Sequence, residues 1–195
     1  MILYYDDTGQ KQPSLDYARR CIGDYIGAGG DFKVDFYTGE FGKPYVESIL
    51  INGNKYPSPI HFSISHSGSL LICLVAEFNV GADCQFIGAY DGKREIAARF
   101  FSPEENGYLS RYSENNAYTR AFTEVWALKE AYTKYTGKGL SEGLTKFSVA
   151  GSNGLVKTLR GARLTLLPEL CGCAVAVCYE DISKKDIKIE VKRHV

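Results

Sequence analysis

The feature that most constrains the fold is an order of elements that occurs twice: an extended run, a helical run, and further extended runs. In the first half, apolar residues recur at helical spacing over residues 14–26, and the pattern stops at Gly27. In the second half, a longer helical pattern covers residues 116–136 and stops at Gly137. Segregated helices and strands of this kind predict an α+β fold.

The repeated order predicts a duplicated α+β unit with two halves, residues 1–88 and 89–195, packed together as one compact unit. A loop around residues 89–92 is expected to open the second half. Beyond it, Ser102 and Glu105 flank Pro103 in a capping-box pattern, which predicts the start of a short helix. A chain of 195 residues is long enough to bury a substantial core.

Composition excludes several classes of function. The chain has 23 basic and 23 acidic side chains, so no overall positive field is available to hold nucleic acid or an anionic membrane. The first residues show neither a basic leader nor a long apolar core, and the apolar runs are shorter than a membrane helix needs. The six cysteines lack metal-finger spacing. We therefore expect a cytoplasmic protein with reduced thiols, in which the Cys171–Cys178 region is a core strand rather than a metal site.

The long helix carries the first candidate site. Glu130 and Lys134 are one helical turn apart, Trp126 lies a turn earlier, and Lys129 is adjacent in sequence. We expect these side chains to project from one side of the helix, where a carboxylate between two ammonium groups can bind a metal and a phosphate together. The alternative is an ordinary solvent-exposed Glu–Lys pair of small energetic value.

Two further candidates precede that helix. Asp83 and Gln85 alternate at the end of an extended run, so both point to one face and offer oxygen ligands for a hard cation such as Mg²⁺. Ser65, His66 and Ser67 follow a predicted strand as a turn, which could bind an anion. The alternatives are a turn aspartate bonded to its own backbone and an ordinary hydrogen-bonded histidine.

A fourth candidate is the bend formed by Gly42, Lys43 and Pro44. Glycine allows a backbone or a flat ring to approach closely, and the lysine can reach a phosphate. Arg19, with its neighbour Arg20 on the first helix, could add positive charge to the same pocket. An ordinary surface turn and a charged helix face are the alternative.

Taken together, these segments resemble one family. They occur in a fixed order along the chain, and the last follows the pattern W-x-x-K-E-A-x-x-K-x-x-G-x-G-L. The segments are residues 42–44 (GKP), 62–67 (FSISHS), 81–85 (GADCQ), 100–105 (FFSPEE) and 126–140 (WALKEAYTKYTGKGL). The series is similar to the 4'-phosphopantetheinyl transferases of the surfactin-synthetase-activating type.

The resemblance implies a fold and a reaction. The family is a pseudo-twofold pair of similar α+β halves with coenzyme A in the cleft between them. It transfers the phosphopantetheine arm of coenzyme A to a serine of an apo acyl or peptidyl carrier protein, with Mg²⁺, and releases 3',5'-ADP. The implied partners are therefore coenzyme A and a carrier protein, and a monomer is expected because the two halves supply their own cleft.

The resemblance also implies roles for single residues. Gly42, Lys43 and Pro44 would lie against the adenine, and Ser65 and His66 would hold the 3'-phosphate. The remaining assignments concern the pyrophosphate: Asp83, Glu130 and Gln85 as metal ligands, Glu130 as acceptor of the serine proton, Lys129 and Lys134 near the phosphates, and Arg19 as a further cation.

One position departs from the family pattern. The family usually has a second acid two residues after the aspartate, whereas this chain has Gln85, which is uncharged. We expect an active enzyme with a raised metal requirement. A coenzyme A-binding homologue with weakened or lost activity and a carrier-interaction module with no chemistry stay open as alternatives. Phe100, Phe101 and Lys138 are the candidate carrier-docking surface.

Overall fold

A computed structural model of the protein describes residues 1–10, 12, 14–88, 92–181 and 187–194. The helices are α1 (Ser14–Tyr25), α2 (Lys93–Phe100), α3 (Pro103–Leu109) and α4 (Asn115–Thr136), with two short 3-10 turns after α4 (Gly139–Glu142 and Leu144–Lys146). The strands are β1 (Ile2–Asp6), β2 (Phe32–Thr38), β3 (Pro44–Ile51), β4 (Asn54–Lys55), β5 (His61–Ser67), β6 (Leu70–Ala76), β7 (Val80–Phe86), β8 (Ala150–Gly151), β9 (Gly154–Leu155), β10 (Thr158–Leu159), β11 (Ala162–Leu166), β12 (Cys173–Glu180) and β13 (Glu190–Arg193). The predicted α+β class is confirmed.

Two four-stranded sheets share the order of three of their strands, and the fourth strand lies on opposite sides in the two sheets. The first sheet runs β13-β1-β6-β5, and the second runs β10-β11-β12-β7. In each, an antiparallel hairpin (β5–β6 or β11–β12) pairs through its second strand with the strand that precedes the unit's main helix, β1 before α1 and β7 before α4. This common arrangement agrees with the predicted duplication.

Strand pairing crosses the predicted boundary between the halves in both directions. β7 lies before residue 88, yet it pairs with β12 of the second half. β13 lies near the end of the chain, yet it pairs in parallel with β1. The division after residue 88 stays a prediction, and most of the loop expected at 89–92 lies outside the described residues.

Helix α4 is the central element of the second half. Its apolar side chains recur every three or four residues and pack on β7, β11 and β12, because that face of the helix is covered by the second sheet. Gly137 ends the helix in the left-handed conformation (φ 73°), and its N–H donates to the Thr133 carbonyl at 2.9 Å. The predicted C-terminus of the helix is confirmed.

The capping box at α3 is also confirmed. Ser102 Oγ accepts from the Glu105 N–H at 3.2 Å, and the Glu105 carboxylate accepts from the Ser102 N–H at 2.9 Å.

Within the described ranges, no helix combines the length and the apolar character needed to cross a membrane.

The segment around His66 differs from the prediction. It is not a turn, because β5 continues to Ser67 and pairs with β6 along its whole length. The hairpin connection is Gly68–Ser69, with Gly68 at φ 59°. A two-residue connection of this kind requires a positive φ, which glycine adopts without strain. The predicted core strand at Cys171–Cys178 is confirmed from Cys173 onward as β12, whereas Cys171 is exposed and precedes the strand. All six cysteines are free.

Candidate functional site

Asp83 lies where β7, β5 and α4 meet. Its carboxylate oxygen Oδ1 accepts hydrogen bonds from Lys134 Nζ on α4 and from Ser65 Oγ on β5, both at 2.6 Å. The other oxygen, Oδ2, accepts from Gln85 Nε2 at 2.9 Å. Asp83 is only 2% exposed, and these donors compensate for the loss of water around its charge.

A close backbone contact holds β7 against α4. A Cβ atom at Gly81 would collide with the Ala131 carbonyl oxygen and the Tyr135 backbone nitrogen. Only glycine permits this separation. Gly81 and Asp83 point to the same side of β7, so the contact brings the Asp83 carboxylate within reach of Lys134, which precedes Tyr135 on the helix.

Alternate serines of β5 complete the contact between β5 and β7. Ser63 Oγ accepts from the Ala82 N–H at 2.9 Å, and Ser67 Oγ accepts from the Phe86 N–H at 2.8 Å. Because β7 is an edge strand of the second sheet, these N–H groups have no strand partner, and the serines supply one. Together with Ser65, they join the two sheets beside Asp83.

A cavity of about 280 Å³ opens beside Lys134. It lies between the β2–β3 hairpin, β5 and the C-terminal part of α4. Its walls are formed by residues 41–44, 62–64, Glu130, Thr133, Lys134, Gly137 and Gly139. The cavity therefore brings the predicted Gly42–Lys43–Pro44 segment together with Glu130 and Lys134.

Glu130 faces this cavity one turn before Lys134. Burial raises the pKa of the Glu130 carboxyl, and the negative charge of Asp83 raises it further, while Lys134 acts in the opposite direction. A raised pKa makes the carboxylate a better proton acceptor than an ordinary glutamate. Asp83, Glu130 and Lys134 thus form one electrostatic cluster, which we call the carboxylate cluster.

Lys43 lines the cavity with its stem, but its ammonium points into the protein. Nζ donates to the Val80 carbonyl at 3.2 Å, the Asn79 side-chain oxygen at 3.3 Å and the Tyr135 carbonyl at 3.4 Å. These partners are neutral, and burial lowers the pKa of Lys43 to about 8. The ammonium joins the β2–β3 hairpin to β7 and α4. It is not free to reach a phosphate in this conformation.

The structure corrects the prediction for Lys129. Its ammonium is 1% exposed and donates to both oxygens of Glu105 at 2.8 and 2.7 Å, and to the Phe147 carbonyl at 2.9 Å. Successive residues of a helix are about 100° apart, so Lys129 leaves α4 on a different side from Glu130. It joins α3 to α4 and does not contribute to the carboxylate cluster.

His66 and Arg19 also lie away from the carboxylate cluster. His66 is exposed on the opposite face of β5 from Ser65, where it lines a separate cavity of about 470 Å³ near the start of α1. Arg19 pairs with Asp16 at 2.6 Å, and its guanidinium lies over the Phe36 ring. Of the predicted phosphate ligands on β5, only Ser65 reaches the cluster, and its hydroxyl is bonded to Asp83.

The segment that contains Asp83, Glu130 and Lys134 matches a known protein family. A model of the 4'-phosphopantetheinyl transferase superfamily matches residues 79–185, more than half of the chain, from the start of β7 through α4 to β12. The chain belongs to the 4'-phosphopantetheinyl transferase superfamily. The resemblance identified from the sequence motifs is confirmed.

Several named members of the superfamily are similar to the chain. A 4'-phosphopantetheinyl transferase of Bacillus subtilis is 36% identical over 116 residues, which are 60% of this chain and 47% of that protein. The 4'-phosphopantetheinyl transferase psf-1 of Bacillus pumilus is 39% identical over 130 residues, which are 66% of this chain and 50% of that protein. The chain spans about half the length of these relatives.

The oxygen ligands near Asp83 fit a hard cation such as Mg²⁺ only if a bound substrate supplies further oxygens. In the part of the chain that the structure describes, no group of three or more His, Cys, Asp and Glu side chains could hold a metal. Asp83 and Glu130 offer carboxylate oxygens, and Gln85 has a free amide oxygen once its nitrogen donates to Asp83. Mg²⁺ is commonly held by one or two carboxylates plus substrate phosphates, and this set matches that pattern.

Sequence reasoning missed two structural features that shape the site. The first is the row of serines on β5, for which the alternation Ser63, Ser65, Ser67 was an available signal. The second lies outside the site: Glu105 appeared only as a helix cap, although it also binds Lys129 and so keeps that lysine away from the carboxylate cluster. Within the suggested docking surface, Phe101 is corrected, because it is 3% exposed and packs on Phe122 and Trp126. Phe100 and Lys138 stay a prediction.

Proposed function

We propose that the protein transfers the 4'-phosphopantetheine arm of coenzyme A to a serine of an apo acyl or peptidyl carrier protein and releases 3',5'-ADP. The observation that carries this proposal is one cavity with two chemically different ends. One end is the Gly42–Pro44 bend, and the other is formed by Glu130 and Lys134 beside Asp83.

The two ends suit the two parts of coenzyme A. The Gly42 backbone, the Pro44 ring and the stem of Lys43 offer a flat apolar surface for the adenine. The pyrophosphate then lies toward Lys134, the lysine whose side chain is 30% exposed at the cavity. Binding of the 3'-phosphate by His66 and of further anionic groups by Arg19 remains a prediction from the resemblance.

The reaction needs alignment and charge neutralisation more than covalent help from the protein. The serine oxygen forms a new bond to the phosphorus that carries the pantetheine arm, the bond from that phosphorus to the bridging oxygen breaks, and 3',5'-ADP leaves. Glu130 accepts the serine proton as the new bond forms, which its raised pKa favours. Lys134 neutralises the departing phosphate charge.

We further propose that Asp83, Glu130 and Gln85 hold Mg²⁺ when coenzyme A is bound. The metal would supply additional charge neutralisation at the pyrophosphate. We also propose a monomer, since a single chain supplies every wall of the cavity, and a cytoplasmic location, which the six unpaired cysteines support. In this reading neither nucleic acid nor a membrane is a partner.

Mass spectrometry of an apo carrier protein tests the proposal. Carriers from fatty-acid, polyketide and nonribosomal peptide synthesis are incubated with coenzyme A, Mg²⁺ and the protein. At least one should gain the mass of a single phosphopantetheine, and Glu130→Ala should abolish that gain while circular dichroism stays unchanged. Retained transfer by Glu130→Ala would remove Glu130 as the proton acceptor.

Gln85 supports a second candidate, a coenzyme A-binding homologue with weakened or lost transfer. Its amide lacks the charge of the second acid usual in the family, and its nitrogen is already bonded to Asp83. Calorimetry separates the candidates: coenzyme A binding with no mass gain on any carrier favours the homologue, and the absence of binding favours a module that only contacts carriers.

A further inference from the structure

The carboxylate of Asp83, the proposed metal ligand, is already the partner of a cation, Lys134. The Oδ1 oxygen of Asp83 already accepts from Lys134 Nζ and from Ser65 Oγ. A carboxylate oxygen has two lone-pair sites, so both sites of Oδ1 are in use, whereas Oδ2 uses one site for Gln85 and keeps one. A metal ion that binds Asp83 must therefore share it with the Lys134 ammonium or displace that ammonium.

Lys134 is able to move, unlike the other lysines around it. Its side chain is 30% exposed, and it lines the cavity with its stem. Among the described residues, the other hydrogen bond of Lys134 is a long one, 3.3 Å, to the Ile64 carbonyl. Lysine has a flexible four-carbon stem and a compact charge that can exchange between anions.

We propose that Lys134 couples metal binding to coenzyme A binding. In the free protein it occupies Asp83 and weakens the binding of a divalent cation. When the pyrophosphate enters the cavity, the ammonium turns to the phosphate, and Asp83 becomes available to the metal. The inference rests on the proposed function, because it takes coenzyme A as the ligand of this cavity, and it makes Lys134 a positioning residue for the metal as well as a phosphate contact.

Binding of Mn²⁺, followed by electron paramagnetic resonance at pH 7.5, tests this coupling without any turnover. Lys134→Gln removes the competing charge and should bind Mn²⁺ about tenfold more tightly than the wild type when coenzyme A is absent, within the usual range of coupling between two sites. Lys134→Arg keeps a cation on Asp83 and should bind Mn²⁺ as weakly as the wild type. Lys138→Gln is the matched control, since Lys138 pairs with Glu142 and its loss should leave Mn²⁺ affinity unchanged.

The same titrations with coenzyme A present complete the test. Coenzyme A should raise Mn²⁺ affinity more in the wild type than in Lys134→Gln, because only the wild type has an ammonium to withdraw from Asp83. Equal Mn²⁺ affinity in the wild type and Lys134→Gln, or an equal gain from coenzyme A, would overturn the inference. If Lys134→Gln does not fold, Lys134→Arg decides, and tighter Mn²⁺ binding by that variant would overturn it.

The outcomes separate this inference from the proposed function. Wild-type protein that modifies a carrier but shows no effect of Lys134 on Mn²⁺ affinity retains the function and rejects the coupling. Wild-type protein that binds no coenzyme A in calorimetry rejects the function, and the coupling falls with it.

Discussion

Helix α4 carries two lysine–carboxylate pairs that differ in almost every physical respect. The enclosed pair, Lys129–Glu105, has exposed fractions of 1% and 0%, whereas the cavity pair, Lys134–Asp83, has 30% and 3%. In the enclosed pair, Glu105 also accepts from two backbone N–H groups, those of Ser102 and Val149. Every polar atom of that pair has a fixed partner, so the pair has no freedom to take part in a reaction.

The comparison teaches how one helix serves both structure and chemistry. Lys129 and Lys134 are five positions apart, which turns their side chains about 140° from each other around the helix axis. One side faces α3 and the core of the second half, and the other faces the carboxylate cluster and the cavity. The enclosed pair fixes the position of α4, and the cavity pair can exchange its partners because that position is fixed.

The largest effect is expected from breaking the enclosed pair. Lys129→Met keeps the length of the side chain but leaves the Glu105 charge without a counter-ion, which should cost about 3–5 kcal/mol in the free energy of unfolding. Urea denaturation measures it. Lys138→Met removes an exposed lysine, 59% of which is accessible, and should change stability by less than about 0.5 kcal/mol.

Replacing the charge at position 105 by a neutral amide sharpens that result. Adding Glu105→Gln to Lys129→Met should restore part of the lost stability, because an amide does not need the missing ammonium. A loss of less than about 1 kcal/mol for Lys129→Met alone would show that the enclosed pair does not hold α4 in place, since surface pairs have that magnitude.

The next effect concerns the contact between β7 and α4. Gly81→Ala forces the two backbones apart, which should cost about 1–3 kcal/mol in stability and lower transfer activity, because Asp83 moves away from Lys134. Urea denaturation and carrier modification measure the two losses. Gly107→Ala in α3 is the control, because a Cβ there meets nothing within 4 Å, and alanine favours the helix. Full activity in Gly81→Ala would mean that the spacing does not matter.

Lys43, which is partly buried, gives a pH test of the comparison. The Lys43 ammonium donates to three neutral oxygens, and burial lowers its pKa to about 8, compared with about 10.4 for an unfolded chain. Between these values the unfolded state holds more protons than the native state, so this group's contribution to stability increases as pH rises from 8 to 10. The stability of the wild type relative to Lys43→Met should rise over that interval. A flat difference would show that the Lys43 ammonium is not stripped of water.

The smallest effect is expected at Gln85. Gln85→Glu adds a charge beside Asp83 and should lower the half-saturating Mg²⁺ concentration for transfer severalfold, because Mg²⁺ prefers charged oxygen ligands. Gln12→Glu is a matched control, since Gln12 also donates from its amide to an aspartate, Asp6, at 2.6 Å, but on β1. An unchanged Mg²⁺ requirement in Gln85→Glu would exclude position 85 from the metal site.

Local sequence signals predicted much of the fold. The spacing of apolar residues located both ends of α1 and of α4 to within one residue, and Gly137 and the Ser102–Glu105 capping box located helix ends. These signals succeed because caps and helical periodicity act over four residues or fewer. The turn predicted at Ser65 was wrong because β5 continues to Ser67 by pairing with another strand, β6. The residues at 65–67 carry no local signal of that pairing.

The sequence by itself determined the family, the order of elements, and the set of residue types available for chemistry. Only the tertiary structure decided which of them act together. Lys129 and Lys134 are equally charged and share one motif, but packing of α3 encloses the first, while the glycine contact at Gly81 brings Asp83 to the second. Burial and partner charge are properties of the space around a side chain, and that space is built by segments distant in sequence.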